Sequence, residues 1–306
     1  MQAAILPDRG VVKLTGDETR ALLDRLVTSD IDTLQPGDAR FAALLTPQGK
    51  ILFDFIVVEA PPEDGGGFFL DCPRALAADL AKRLVFYRLR AKVAIEDMSD
   101  RLAVMAAWPS ATSDGGTPNT RKNTDEALCY PDPRLPALGM RMILPPASAA
   151  AAAADLGATL SDVDAYERHR IALGIPRGGE DFIYGSAYPH ETDMDQLGGV
   201  DFTKGCFVGQ EVVSRMQHRS TARSRIVPVA YADAAPMSGL PVTAGEKTVG
   251  TIGSTAAGRG LALLRLDRVG DAMEKNLPLV AGGIELTLRK PDWARFRFPG
   301  EPEQTT

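Results

Sequence analysis

A chain of 306 residues with a net charge of −6 and a pI near 5.2 lacks the basic surface that sequence-independent nucleic-acid binding needs, so no nucleic acid is expected as a partner. Its 44% apolar and 24% charged fractions are those of a globular protein with room for two or three packed units. No run approaches the roughly 18 apolar residues of a spanning helix, and Met1 to Asp8 shows no basic region followed by an apolar stretch. Neither a membrane association nor a signal peptide is therefore expected. Cys72, Cys129 and Cys206 are far apart and form no CxxC pair, the usage of a reducing compartment, and the expected location is the cytoplasm.

Along the chain, Val11 to Leu14 reads as a short strand. Thr15 and Glu18 then stand at capping-box spacing before a helix that carries Leu22, Leu23, Leu26 and Val27. Ala39 to Thr46 and Ile51 to Val58 flank a Pro-Gln-Gly-Lys turn and predict a hairpin. Asp54 interrupts the second of these strands, on the face of Leu52 and Ile56 and opposite Phe53 and Phe55. An acid there either faces solvent or lines a pocket. Phe68 to Leu70 is a strand, Pro73 to Val85 a helix, and Arg88 to Asp97 and Leu102 to Ala107 two further strands. This mixture, without regular βα alternation, predicts an α+β fold.

Ser110 to Glu126 is poor in apolar residues and reads as an exposed insert. Leu138 to Leu144 is a strand, and the six consecutive alanines within Ala147 to Leu156 favour a helix. A helix holding Tyr166 to Leu173 should stop at Gly174-Ile175-Pro176. Arg177 to Gly199 is a 23-residue stretch of turn-formers, of a length that is often functional. Beyond Ser224, short apolar strands separated by Gly and Pro predict a small β-barrel or sandwich. The domains expected are residues 1–220 and 224–300.

The segment with the most chemistry is Lys204-Gly205-Cys206-Phe207-Val208-Gly209-Gln210-Glu211. Val212, Val213 and Met216 begin a short amphipathic helix after it, and Glu211 and Arg215 stand at ion-pair spacing. A cysteine just ahead of a helix N-terminus, two residues from a lysine, is set to favour the thiolate. A Cys–His dyad has only His169, His190 and His218 to draw on, none placed against Cys206 by spacing. No HxxxH or CxxC spacing marks a metal site, and three dispersed thiols fall short of the roughly four that hold an iron–sulfur cluster. Arg215, His218, Arg219, Arg223 and Arg225 form either a solvated run or an electropositive wall for carboxylates or phosphates.

This segment resembles the K-G-C-Y-x-G-Q-E signature of the YgfZ-type folate-binding proteins, relatives of the glycine-cleavage T-protein (aminomethyltransferase), with Phe207 in place of the usual tyrosine. Arg170 to Pro176 is similar to the family's R-x-x-x-G-x-P, Pro189-His190-Glu191 to its P-x-E, and Leu14-Thr15-Gly16-Asp17 to its opening. The resemblance implies a GcvT-like, ring-shaped, multi-lobed N-terminal region with a C-terminal small β-barrel, and tetrahydrofolate, or a one-carbon derivative of it, in a central channel. It makes Glu191 the acid that receives the pterin, since a carboxylate accepts two parallel N–H bonds from an aminopyrimidine edge. Arg170, Lys204, Gln210 and Arg215 are the further folate-binding candidates, and Cys206 and Asp54 the catalytic ones. The T-protein carries adjacent acids where this chain has Phe53-Asp54, and it lacks the cysteine. The cysteine-bearing branch implies an accessory role in assembly or repair of iron–sulfur enzymes, with assembly proteins or client enzymes as partners and a transiently shared cluster. The alternatives are a folate-dependent aminomethyl or other one-carbon transferase using Asp54, and a thiol-dependent enzyme.

Overall fold

The computed structural model describes residues 1–62, 66–110, 127–219, 222–232 and 234–301. The insert from residue 111 onward, and residues 220 and 221 of the expected domain junction, lie outside that set. Two compact units divide the chain, Met1–Tyr166 with Leu197–Gln210, and Glu167–Gln196 with Glu211–Thr306. The chain is α+β, as its mixed pattern predicts.

The first unit holds two five-stranded sheets. One runs in the order β3 (Ala39–Leu45), β4 (Ile51–Glu59), β5 (Phe68–Pro73), β2 (Arg9–Thr15), β6 (Ala94–Asp97). The hairpin of β3 and β4 forms as expected, with Asp54 opposite Ala43 and a turn closed by the Thr46 and Lys50 backbones. Phe53, Phe55 and Val57 point into a core with Leu22 and Leu23 of α1 (Thr19–Leu26) and Leu80 and Leu84 of α2 (Arg74–Arg88). Residues Phe53 to Val58 are buried on both faces, which is why the run reads as continuously apolar. The other sheet runs β10 (Thr159–Leu160), β1 (Gln2–Leu6), β7 (Ala103–Trp108), β9 (Met140–Leu144), β8 (Leu128–Pro131).

Two local expectations are corrected. Thr15 ends β2 instead of capping α1, and the Glu18 side chain accepts from the Lys92 backbone N–H at 2.7 Å, so no capping box forms. Arg88 to Val93 is not strand. α2 runs through Arg88 and ends at Leu89, which adopts φ 50°, and only Ala94–Asp97 pairs with β2.

Helix α4 (Val163–Ala172), whose residues from Glu167 onward belong to the second unit, ends before Gly174, whose φ of 76° suits a residue without a side chain. Residues 177–199 hold no helix or strand. The C-terminal region closes into a six-stranded barrel in the order β11 (Ser224–Ala230), β14 (Arg259–Arg265), β13 (Lys247–Ala256), β12 (Pro241–Ala244), β15 (Leu279–Ala281), β16 (Ile284–Leu288). Closure removes the sheet edges that would otherwise be left unpaired. A helix, α6 (Leu266–Glu274), follows β14 and packs Val269 and Ala272 against the barrel core. Gly270 within it masked its period in the sequence.

Candidate functional site

The Lys204 to Glu211 segment is built from its anchors inward. The Asp201 carboxylate accepts from the Thr203 N–H and hydroxyl, both at 2.7 Å, and from the Lys204 N–H at 3.1 Å, which fixes the turn that starts it. The Lys204 ammonium donates to the carbonyl oxygens of Asp24 (2.6 Å), Val27 (3.0 Å) and Ser29 (2.8 Å) and pairs with the Asp24 carboxylate at 3.0 Å. It thereby caps the C-terminal end of α1, where acceptors are otherwise unpaired. Thr28 adds a second tie: its hydroxyl donates to the Gly199 carbonyl, and its carbonyl accepts from the Asp201 N–H. Gly209, at φ 82°, passes so close to the β3–β4 turn that a Cβ would stand 2.5 Å from the Thr46 carbonyl oxygen.

Between these anchors, Phe207 is buried under the Lys204 ammonium, which lies 5.8 Å from the ring centroid, and Val208 packs on the α1–α2 core. Cys206 is exposed, four residues before α5 (Gln210–Arg219) begins. Cys72 and Cys129 are buried, and burial pushes the Cys72 thiol up to about 12. The exposed thiol is thus carried on a backbone pinned on both sides. The lysine expected to lend it positive potential is turned instead toward three carbonyls.

The other candidates are distributed as follows. Arg170 is buried and engages Glu167 (2.7 Å), Asp181 (3.0 Å), the Ile175 carbonyl (2.5 Å) and the Ser254 hydroxyl (2.8 Å), joining α4 to β13. Its donors and those of Lys204 are committed to protein groups, so these two candidates do not offer a folate their charge. Arg215 is exposed and pairs with Glu211 at 2.6 Å, and the Gln210 amide reaches the Gly205 carbonyl at 3.4 Å. Glu191 is half-buried and its carboxylate accepts from the Tyr188 N–H at 3.0 Å. Asp54 is 8% exposed, which removes the solvent-facing alternative.

Two charged clusters escaped the sequence reading. In the first unit, buried Asp71 accepts from Arg9 (2.6 Å) and Arg141 (2.5 Å), and Arg141 continues to Asp132 (2.8 Å) and to the Tyr166 hydroxyl (2.9 Å). Asp54 acts electrostatically on Arg9 in the same cluster. In the second unit, Arg225 leaves the supposed basic wall and is buried, forked onto Asp195 at 2.5 and 2.9 Å. Beside it, burial pushes the Asp193 carboxyl well above the ordinary range, against the pull of Arg225. The sequence signal for the first cluster is an isolated charge inside an apolar run, as at Asp71 and Arg141. Among the described residues, no group of three or more His, Cys, Asp or Glu side chains is placed to hold a metal ion.

The fold is that of an aminomethyltransferase carrying a C-terminal barrel. The crystal structure of glycine cleavage system aminomethyltransferase T from Bartonella henselae matches with a TM-score of 0.73 at 15% identity, over 97% of this chain and 87% of that one, a likeness of fold alone. Residues 223–296 match the family described as CAF17, C-terminal beta-barrel domain. The human iron-sulfur cluster assembly factor IBA57, mitochondrial, is 30% identical over 94% of this chain and 84% of its own length. The Mycosarcoma maydis IBA57 homolog is 36% identical over 74% of this chain and 57% of that protein. The chain spans 54% of the Neurospora crassa homolog, at 32% identity. The chain belongs to the IBA57 family. That family is related to the YgfZ type without being it, which corrects the narrower resemblance read from the motif. These relatives are named as mitochondrial proteins, which overturns the cytoplasmic expectation. Unpaired cysteines report a reducing environment and do not distinguish one reducing compartment from another.

Proposed function

We propose that this chain is an accessory factor in the assembly or repair of iron–sulfur enzymes, presenting Cys206 as one ligand to a cluster that a partner completes. The observation that carries the reading is Cys206 itself, the exposed one of three cysteines, on a segment anchored by Lys204 and Gly209. One accessible thiol is far short of the roughly four ligands a cluster takes, so the cluster is cargo and the remaining ligands belong to an assembly protein or client. Membership of a family whose relatives are named assembly factors supports the same reading. The test is complementation: in a strain lacking the native gene, Cys206→Ser should fold normally and leave iron–sulfur enzyme activity at the deletion level. Full recovery would end the proposal.

A second reading, tetrahydrofolate binding at Glu191, is favoured by its half-buried carboxylate on an aminomethyltransferase-like fold. Arg170 and Lys204 lend it no donors, so Glu191 carries it. Titration of tetrahydrofolate should show binding to the wild type and loss in Glu191→Ala; no binding to the wild type removes the reading.

A further inference from the structure

The second half of α2 is apolar on both faces. Ala77, Leu80 and Leu84 face the core. On the opposite side, Lys82, Val85, Phe86 and Leu89 recur at i, i+3, i+4 and i+7, the spacing of one helical stripe. Val85 is 43%, Phe86 69% and Leu89 83% exposed. Leu89 sits just past the helix at φ 50°, where glycine or asparagine is the usual residue and a leucine is strained. A strained backbone that holds a leucine in water is the reverse of what stability alone selects.

The stripe is ringed by cations. Residues 79–92 hold five basic side chains, Lys82, Arg83, Arg88, Arg90 and Lys92, against the single acid Asp79, in a chain whose net charge is −6. Lys82 lies 3.2 Å from Asp79 in an exposed pair, and Arg88 donates to the Val93 carbonyl; Arg83, Arg90 and Lys92 are exposed.

We propose that this face of α2 docks onto an anionic phospholipid surface, with Phe86 and Leu89 entering the headgroup region and Lys82, Arg83, Arg90 and Lys92 meeting lipid phosphates. Three large apolar side chains surrounded by Lys and Arg are the composition of a helix lying at a membrane interface. The stripe covers about two turns, roughly 10 Å. That is small beside the ~20–30 residues per side of a stable protein interface. A two-fold contact with a second copy would set the cationic rims against each other. This contact is peripheral and is compatible with the absence, among the described residues, of any helix long and apolar enough to cross a membrane.

Co-sedimentation of the full chain with phosphatidylcholine vesicles, with and without phosphatidylglycerol, tests it. Binding is expected only with the anionic lipid and should weaken as salt is raised. Phe86→Ser combined with Leu89→Ser should abolish it at unchanged melting temperature, and Arg83→Glu or Arg90→Glu should each lower the partition coefficient about fivefold or more. No binding to anionic vesicles, or binding indifferent to the double substitution, overturns the proposal. So does a change of oligomeric state in the double variant without any vesicle binding, which would identify a second copy as the occupant.

Discussion

The Lys204 ammonium sits 2.6 Å from the carbonyl oxygen of Asp24, a residue 180 positions earlier in the chain. One side chain thus closes the end of α1 and anchors the segment that presents Cys206. Lys204→Met would leave three carbonyls and the Asp24 carboxylate without their cation, and should destabilise the first unit by about 3 kcal/mol. Lys204→Arg should restore only part of this, because a planar guanidinium cannot direct donors onto three acceptors that converge on one point. Urea denaturation of the three proteins checks both statements.

Thiol accessibility should follow burial. With an aromatic disulfide reagent, the native protein should react rapidly at one thiol per chain, and Cys206→Ser at none. Cys72 and Cys129 should react only as the protein unfolds, and Cys72 is slowed further by burial that raises its thiol to about 12. Rapid labelling of two thiols in the folded state would contradict this assignment.

How much of this was legible in the sequence depends on the range of the interaction. The β3–β4 hairpin and most barrel strands follow from short apolar runs bounded by turn residues, which are local. The helix after Cys206 follows from Val212, Val213 and Met216 in the same way. Lys204 reads as an electrostatic neighbour of Cys206 because the two stand two residues apart, whereas its partners lie at and just beyond the end of α1. Arg170 was assigned to a ligand by motif position, and its partner Ser254 lies 84 residues away. Side-chain pairings at that separation leave no periodic trace. Asp71 and Arg141 were missed for the same reason, although each is an isolated charge in an apolar strand.

The Asp71–Arg141–Asp132 cluster predicts acid sensitivity. Burial pushes both carboxyls up, but Arg9 and Arg141 around Asp71, and Arg134 and Arg141 around Asp132, outweigh it and hold both below the ordinary range. A carboxyl depressed in the folded state contributes stability that is complete above its unfolded value, about 3.9, and is lost as the pH falls below it. Denaturant melts should therefore change little between pH about 7 and about 5 on this account. Below about pH 4 they should lose up to about 1.4 kcal/mol per pH unit for each acid. Arg141→Met should be less stable at neutral pH and lose less on further acidification, since its acids, left with Arg9 and Arg134 alone, would be held less far below the ordinary range.

The two glycines that bracket Cys206 should respond oppositely to the same change. Gly209 holds φ 82°, and a Cβ there would stand 2.5 Å from the Thr46 carbonyl oxygen and 3.0 Å from the Gly49 Cα, both backbone atoms of the β3–β4 turn. Gly209→Ala therefore combines left-handed strain with a clash that no rotamer relieves, and should cost about 2–3 kcal/mol. Relief by backbone movement would shift the segment away from the turn and displace Cys206. Gly205 has open space where a Cβ would go. Gly205→Ala should change stability by no more than about 0.5 kcal/mol. If Cys206 acts through a fixed position, Gly209→Ala should also fail in complementation at a temperature where the protein stays folded, while Gly205→Ala succeeds. Equal complementation by both variants would mean that the thiol works from a mobile segment, and that the contact with the β3–β4 turn serves stability alone.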